Sequence, residues 1–228
     1  LYIIMPGGLL NLISEGNQNI YLTGNPTKTF FKTAYAKHTN FGLQKFRIDM
    51  NGSRSLRMLE DSEFKFRIPR YADLLMDTYL VVTLPHIWSP IYPPQEREHV
   101  WAPYEFKWVE NLGVEMIKEI EITVGGQILQ KISGSYMKCL VERDFSKDKK
   151  DLFDKMTGNI PEVNDPGNVG GRVNMYPTSF FSENPNGAEP SIKGRRLYIP
   201  ILSWFSMNSK MAFPLVAMQY NELVITVR

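Results

Sequence analysis

The sequence predicts an all-β domain, an antiparallel sandwich or jelly roll, and three observations support this fold class. Apolar and polar residues alternate at period two in several separate segments, which is typical of strands with one buried face. Two of these segments turn back at glycine-containing pairs that favour hairpins. The seven or eight predicted strands do not alternate with helices, which argues against a parallel α/β sheet.

The first predicted hairpin is centred on Asn51-Gly52, the strongest short-range signal for a two-residue turn. Before it, Phe46, Ile48 and Met50 alternate with charged neighbours. After it, apolar residues occupy most even positions from Ser55 to Ile68. We therefore expect two paired strands, each with one solvated face.

Four later strands are predicted, and a fifth, at Ile128 and Leu129, follows as the return of a hairpin. Residues 78–84 form a nearly continuous apolar run closed by Pro85, which predicts a strand buried on both faces. Alternation predicts the other three strands at residues 119–124, 197–201 and 223–227. The first of these three enters a second hairpin at Gly125-Gly126.

Two segments predict short helices instead. Within residues 133–145, Tyr136, Cys139 and Leu140 share one helical face, so Cys139 is expected to be a buried, structural thiol. Residues 148–156 form a second helix that a glycine ends. Both helices precede a segment with little periodicity.

That segment, residues 157–194, is rich in Gly, Pro and Asn and is predicted to be a long loop insertion. A loop of this length in a compact domain is usually functional or ordered by a partner. No internal repeat or Ser/Gly linker divides the chain. The simplest organisation is therefore one domain with long loops.

Composition excludes several classes of protein. The 26 Lys and Arg residues against 24 Asp and Glu leave a net charge of +2 over 228 residues, which argues against binding mainly through phosphate contacts. Cys139 is the one cysteine, which excludes a disulfide framework and a multi-cysteine metal site. No apolar run approaches the roughly 20 residues that cross a bilayer.

No catalytic, cofactor-binding or metal-ligating pattern is found. His38, His86 and His99 are widely spaced and lack the clustered ligands that a metal-dependent enzyme of the cupin type needs. Glu119 and Glu121 share a strand face, as the carboxylate pair of a glycosidase would, but solvated charge is the expected state on that polar side. We therefore predict no catalytic residues, no cofactor and no metal.

Basic residues cluster modestly at 147–150 and 193–196, and the first cluster is diluted by aspartates. The first 27 residues carry one charged residue, Glu15, so the chain lacks a basic arm that would neutralise a genome. We expect no direct binding of nucleic acid.

An aromatic-rich stretch supports an alternative function. Trp88, Tyr92, Trp101 and Tyr104 lie in or beside a proline-rich excursion between residues 85 and 104. Such rings could stack on sugars, which makes a lectin-like carbohydrate-binding module the alternative, although surface aromatics are commonly part of ordinary packing.

Four ordered blocks of the chain carry a recognisable pattern. They are Tyr21-Leu22-Thr23-Gly24-Asn25-Pro26 with His38-Thr39-Asn40-Phe41, then Ile68-Pro69-Arg70-Tyr71-Ala72-Asp73-Leu74-Leu75, then Leu112-Gly113 with Ile120-Glu121-Ile122 and Gly125-Gly126-Gln127, and finally residues 212–223. Together they resemble the major capsid proteins of the nucleocytoplasmic large DNA viruses. Ala72 stands where the turn of that family has glycine.

The resemblance implies an all-β fold, an antiparallel eight-stranded jelly-roll sandwich with long loops and one or two short helices. The family subunit is a double jelly roll. Residues 28–228 are therefore expected to be the first of two rolls, with the loop at about 157–194 as an insertion and residues 1–27 as an N-terminal arm.

The resemblance also implies a structural virion protein without enzyme activity. Three subunits would form a pseudo-hexagonal capsomer, and capsomers would tile an icosahedral shell. The expected partners are other copies of the chain, neighbouring capsomers, minor capsid proteins and the membrane side inside the shell. The expected location is the virion, assembled in the cytoplasm of the infected cell.

Overall fold

The computed structural model describes residues 39–50, 52, 59–90, 102–181 and 187–228. The chain divides into two compact units, Leu1–Phe46 and Arg47–Arg228. The described residues of the first unit, 39–46, form no helix or strand. The second unit contains every helix and strand described below.

Ten strands occur in the described residues, and every pairing between them is antiparallel. The strands are β1 (Phe64–Ile68), β2 (Leu74–Leu75), β3 (Tyr79–Thr83), β4 (Glu119–Val124), β5 (Gln127–Ser133), β6 (Phe180–Phe181), β7 (Ala188–Glu189), β8 (Arg196–Pro200), β9 (Phe213–Pro214) and β10 (Leu223–Val227). The sheet-rich, antiparallel character predicted from alternation is confirmed. The arrangement as an eight-stranded sandwich stays a prediction.

The larger sheet has four strands in the spatial order β1-β10-β4-β5. Ile225 in the middle of β10 pairs with Phe66 on one side and Ile122 on the other. The β4–β5 hairpin turns at Gly125 and Gly126, whose φ angles of 56° and 85° suit a type I′ turn that other residues rarely adopt. The predicted second hairpin is confirmed.

The remaining strands form three two-stranded ladders. β3 pairs with β8 along five residues, and two-residue strands pair as β2–β9 and β6–β7. The described residues between the second predicted helix and β8 are mostly irregular and include one short helix, one 3-10 turn and the β6–β7 pair.

Five α-helices occur in the described residues, rather than the predicted one or two. They are α1 (Leu112–Glu115), α2 (Gly134–Asp144), α3 (Lys147–Thr157), α4 (Pro161–Asn164) and α5 (Trp204–Met207), joined by 3-10 turns at Pro166–Asn168, Ser209–Met211 and Leu215–Ala217. The three four-residue helices have too few turns to produce a helical period in the sequence. None of the described helices combines the length and the apolar character that crossing a bilayer requires.

Helix α2 begins at the predicted place but turns a different face to the core. The Ser133 side chain accepts a hydrogen bond from the Tyr136 N–H at 3.1 Å and caps the helix. From this start the buried stripe falls on Met137, Leu140 and Val141. The prediction that Cys139 is buried is therefore wrong, because its side chain lies exposed beside that stripe.

Two strand predictions are also corrected. Residues 46–50 do not form a strand, and Ile48 and Met50 are only partly buried, because alternation sets which side chains share a face but does not itself form the ladder that defines a strand. Asn51 and residues 53–58, the rest of that predicted hairpin, lie outside the described residues, and β1 takes up the end of the run. Strand β3 is not buried on both faces: its burial alternates, with Tyr79 and Val81 exposed.

The core lies between the larger sheet, the β3–β8 ladder and helices α1, α2 and α5. Its most buried members are apolar residues of these elements: Val114, Ile120, Ile122, Ile132, Met137, Leu197, Ile199, Phe205 and Leu223. Trp204 and Phe205 meet edge to face with ring centroids 5.2 Å apart, and both contact Phe213 of β9. Alternate residues of distant strands thus fill one interior.

The isoleucines of the β4–β5 hairpin provide a matched test of this core. Ile122 is fully buried, whereas Ile128 on the adjoining strand is half exposed. We expect Ile122→Ala to lower the free energy of unfolding by about 2–5 kcal/mol, because it removes buried methyl groups and leaves a cavity. Ile128→Ala should cost less than about 1 kcal/mol. Urea denaturation of both variants measures the difference, and equal losses would contradict the described core.

Candidate assembly surface

The larger sheet turns a charged face outward. Because side chains alternate along a strand, the residues out of register with the core share this face. They form a cluster, here called the charged face, that consists of Glu63, Lys65, Glu119, Glu121, Lys131 and Arg228. These side chains lie on, or directly beside, the four strands of the larger sheet, which are neighbours in the order β1-β10-β4-β5.

Two cations bridge the carboxylates of the charged face. Lys131 Nζ lies 2.5 Å from Glu121 Oε1 and 3.1 Å from Glu119 Oε1. Arg228 Nη1 lies 3.1 Å from Glu121 Oε1 and 3.6 Å from Glu119 Oε2, while its Nη2 lies 3.5 Å from Glu63. Both glutamates singled out by their spacing are therefore bound by cations on either side.

Glu121 is not the solvated charge that its place on a polar strand face predicts. Only 7% of the residue is exposed, because neighbouring strands cover it from both sides. Its hydrogen bond from Lys131 holds the pKa of the Glu121 carboxyl below its ordinary value, and Arg228 lowers it further against the effect of desolvation. The pKa of Lys131 is raised in turn, by its hydrogen bonds to Glu121 and Glu119.

The β3–β8 ladder turns a very different face outward. Tyr79, Val81 and Tyr198 are 45%, 50% and 42% exposed, while the alternate residues of both strands face the core. Val81 pairs directly with Tyr198, and Thr83 pairs with Arg196 at one end of the ladder. This surface, here called the tyrosine face, was missed by the sequence reasoning. Each strand contributes one tyrosine, Tyr79 and Tyr198, and their positions in the sequence do not distinguish exposed rings from buried ones.

The histidines are not brought together in the described residues. His86 Nδ1 accepts a hydrogen bond from the Gly194 N–H at 3.0 Å, which ties the end of β3 to the start of β8. His38 and His99 lie outside the described residues. Within the part of the chain that the structure describes, no three His, Cys, Asp or Glu side chains are grouped so that they could hold a metal ion.

Two of the four aromatic residues of the carbohydrate-binding alternative are described. Trp88 is half exposed, and Tyr104 stacks on Phe106 with ring centroids 5.8 Å apart. Tyr92 and Trp101 lie outside the described residues. The Tyr104 ring is thus engaged by another ring of the chain, and the sugar-stacking platform stays an untested hypothesis.

The basic clusters contain internally paired lysines. Lys150 Nζ lies 2.5 Å from Glu142, Lys149 lies 4.0 Å above the Phe145 ring, and Lys193 pairs with Glu189 at 2.8 Å. These pairs reduce the field that the clusters offer to a polyanion.

Comparison with known proteins gives the family. The sequence profile described as "Major capsid protein N-terminus" matches residues 29–228. The chain belongs to this family. Members that resemble it include Capsid protein 1 of Acanthamoeba polyphaga mimivirus, 32% identical over 98% of this chain and 34% of the relative, and the major capsid protein of Phaeocystis pouchetii virus, 31% identical over 97% and 40%.

A solved structure supports the fold of this capsid-family chain. The PBCV-1 VP54 crystal structure, fitted into a reconstruction of the virophage Sputnik, superposes with a TM-score of 0.57 at 20% identity. The match covers 87% of this chain and 37% of that one. The likeness shows a shared fold of the jelly-roll type. The chain spans about a third to two fifths of the length of the relatives described above.

Two of the blocks that resemble the capsid family meet in space. Leu74 and Leu75 pair with Pro214 and Phe213 in the β2–β9 ladder. The Val216 N–H donates to the Asp73 carbonyl at 3.1 Å. The turn after β1 and the segment before β10 are therefore one structural unit, which their separation in the sequence conceals.

The charged face predicts a specific response to acid. Because the pKa of Glu121 is lowered in the folded chain, its stabilisation is present above the pKa of the unfolded state and is lost as the pH falls through the folded value. We expect Glu121→Gln to lower stability at neutral pH and to make the decline on acidification shallower. Denaturant titrations between neutral and acidic pH measure both slopes.

Glu110→Gln is the control, since Glu110 is exposed and forms no ion pair among the described residues. It should follow the unmodified chain at every pH. If Glu121→Gln left the loss of stability on acidification unchanged, the role given to this network would be contradicted.

Proposed function

We propose that this chain is the first jelly roll of a structural capsid subunit, with no enzyme activity. The match to the N-terminus of major capsid proteins over residues 29–228 is the observation that carries the proposal. The residues of the proposed roll would be 28–228, with an insertion at about 157–194 and an N-terminal arm at 1–27.

The geometry of the second unit supports a structural role. The acidic pair that might have served catalysis is neutralised by Lys131 and Arg228 on the charged face. The exposed apolar residues of the tyrosine face instead have the composition of contact surfaces, in which tyrosine is enriched. Such a chain presents surfaces to neighbours rather than a reaction site.

A second β domain belongs to the proposal because the chain corresponds to 34% and 40% of its mimivirus and Phaeocystis virus relatives. Three such double-roll subunits would form a pseudo-hexagonal capsomer, and capsomers would tile an icosahedral shell. The proposed partners are copies of the chain, neighbouring capsomers, minor capsid proteins and the membrane side inside the shell. The proposed location is the virion, after assembly in the cytoplasm of the infected cell.

Native mass spectrometry of the protein from its natural source tests this function. We expect a subunit heavier than 26.3 kDa that assembles as a trimer, because the second roll adds mass and the proposed capsomer contains three subunits. Negative-stain images of the same sample should show particles of pseudo-hexagonal outline. A stable monomer at the concentrations found in assembled shells would contradict the proposal.

A further inference from the structure

The two outward sheet faces differ in how far their side chains are paired or covered within the chain. On the charged face, Glu121 and Lys131 find partners within the chain. On the tyrosine face, Tyr79, Val81 and Tyr198 expose between two fifths and half of their surface. Aromatic and aliphatic side chains gathered on one exposed sheet face mark an interaction site more often than isolated ones do.

Opposite charges stand at the two ends of the tyrosine face. Burial raises the pKa of the Tyr79 hydroxyl, and the charge of Asp77, which precedes β3, raises it further. Arg196 occupies the far end of β8, on the same face as Tyr198. Asp77 and Arg196 form no ion pair with any described residue, so each charge is available to another molecule.

This charge pattern is self-complementary. If two copies pack face to face about a twofold axis that lies in the interface and runs across the strands, the strands of one copy run opposite to those of the other. The acidic end then meets the basic end of the partner at both ends of the contact. Val81, at the middle of β3, lies opposite its own counterpart. A same-direction packing would instead place like charges together, which is unfavourable.

The contact area indicates how strong such a pairing is. Five residues at about 3.3 Å and two strands at about 4.8 Å cover on the order of 160 Å². A standard stable interface buries roughly 800 Å² on each partner. The face alone therefore supports a weak contact, which becomes effective when many copies are held in one assembly.

We propose that the tyrosine face is a self-association surface, at which Tyr79, Val81 and Tyr198 of one chain pack against the same residues of a second copy, with Asp77 and Arg196 pairing across the contact. This inference rests on the proposed function, since it names the partner of one surface of the capsid subunit. The inference names the residues of one contact between copies, which the proposed function leaves unspecified.

Thiol cross-linking of the full chain tests the contact. In a Cys139→Ser background, Val81→Cys places one thiol at the centre of the tyrosine face, and Lys65→Cys places one on the charged face as the matched control. In two sheets packed face to face about 10 Å apart, opposing thiols at position 81 point toward each other, so a short bifunctional thiol cross-linker joins them. We expect several-fold more covalent dimer from Val81→Cys than from Lys65→Cys, at equal protein concentration.

Charge reversal separates the specific contact from random collision. Arg196→Glu should lower the dimer yield of the Val81→Cys chain several-fold, and adding Asp77→Arg should restore it, because the two ends again carry opposite charges. Equal yields from the two thiol positions, or yields that charge reversal leaves unchanged, would overturn this inference. If the natural protein still forms trimers in that case, the proposed function stands; if it is a stable monomer, the proposed function fails separately.

Discussion

The fold of the second unit depends on the insertion of β10 between β1 and β4. Residues 223–227 form both neighbouring ladders of the larger sheet, so strands separated by more than fifty residues meet only through this segment. Without β10 the described sheet would reduce to the β4–β5 hairpin, and an isolated hairpin is marginally stable at best. Phe66 of β1 and the buried Ile122 of β4 would then lose Ile225, the cross-strand partner that lies between them. Forming this sheet is a long-range event that carries the entropy cost of closing large loops.

The charged face depends on the same strand. The ladder extends to Arg228, whose backbone N–H donates to the Glu119 carbonyl at 2.8 Å and whose carbonyl accepts from the Lys118 N–H at 2.8 Å. These bonds place the Arg228 guanidinium between Glu119 and Glu121. A slip of one residue would turn Arg228 toward the core. Glu121 would then stay nearly buried with one cation fewer, which destabilises the fold by more than an exposed ion pair stabilises it. The ion pairs thus favour the native register over its neighbours.

Local chemistry explains which predictions succeeded. Alternation located β4, β8 and β10 and the Gly125-Gly126 turn, and helix α3 ends at Gly158, whose φ of 83° provides its C-cap, because periods and caps act over a few residues. The predictions that failed concern which segments pack against a helix or strand. Whether Glu121 is solvated, Cys139 buried or Val81 covered depends on which distant segment packs there, and one chain's periodicity carries no such information. The tyrosine face was inaccessible for this reason, since its apolar run suits a strand with two buried faces equally well.

The two outward sheet faces differ in chemistry, which under the proposed function gives the capsid subunit two distinct sides. Ion pairs within the chain satisfy the side chains of the charged face. This face is therefore stable in contact with water and has little affinity for an apolar surface. The tyrosine face is apolar at its centre and oppositely charged at its ends, so a correctly oriented neighbour gains contact area while a reversed one meets like charges. Its small area keeps a single encounter weak and reversible. If the chain acts as the proposed capsid subunit, weak, oriented contacts would allow misplaced copies to dissociate before a shell closes, whereas one strong contact would trap the first arrangement formed.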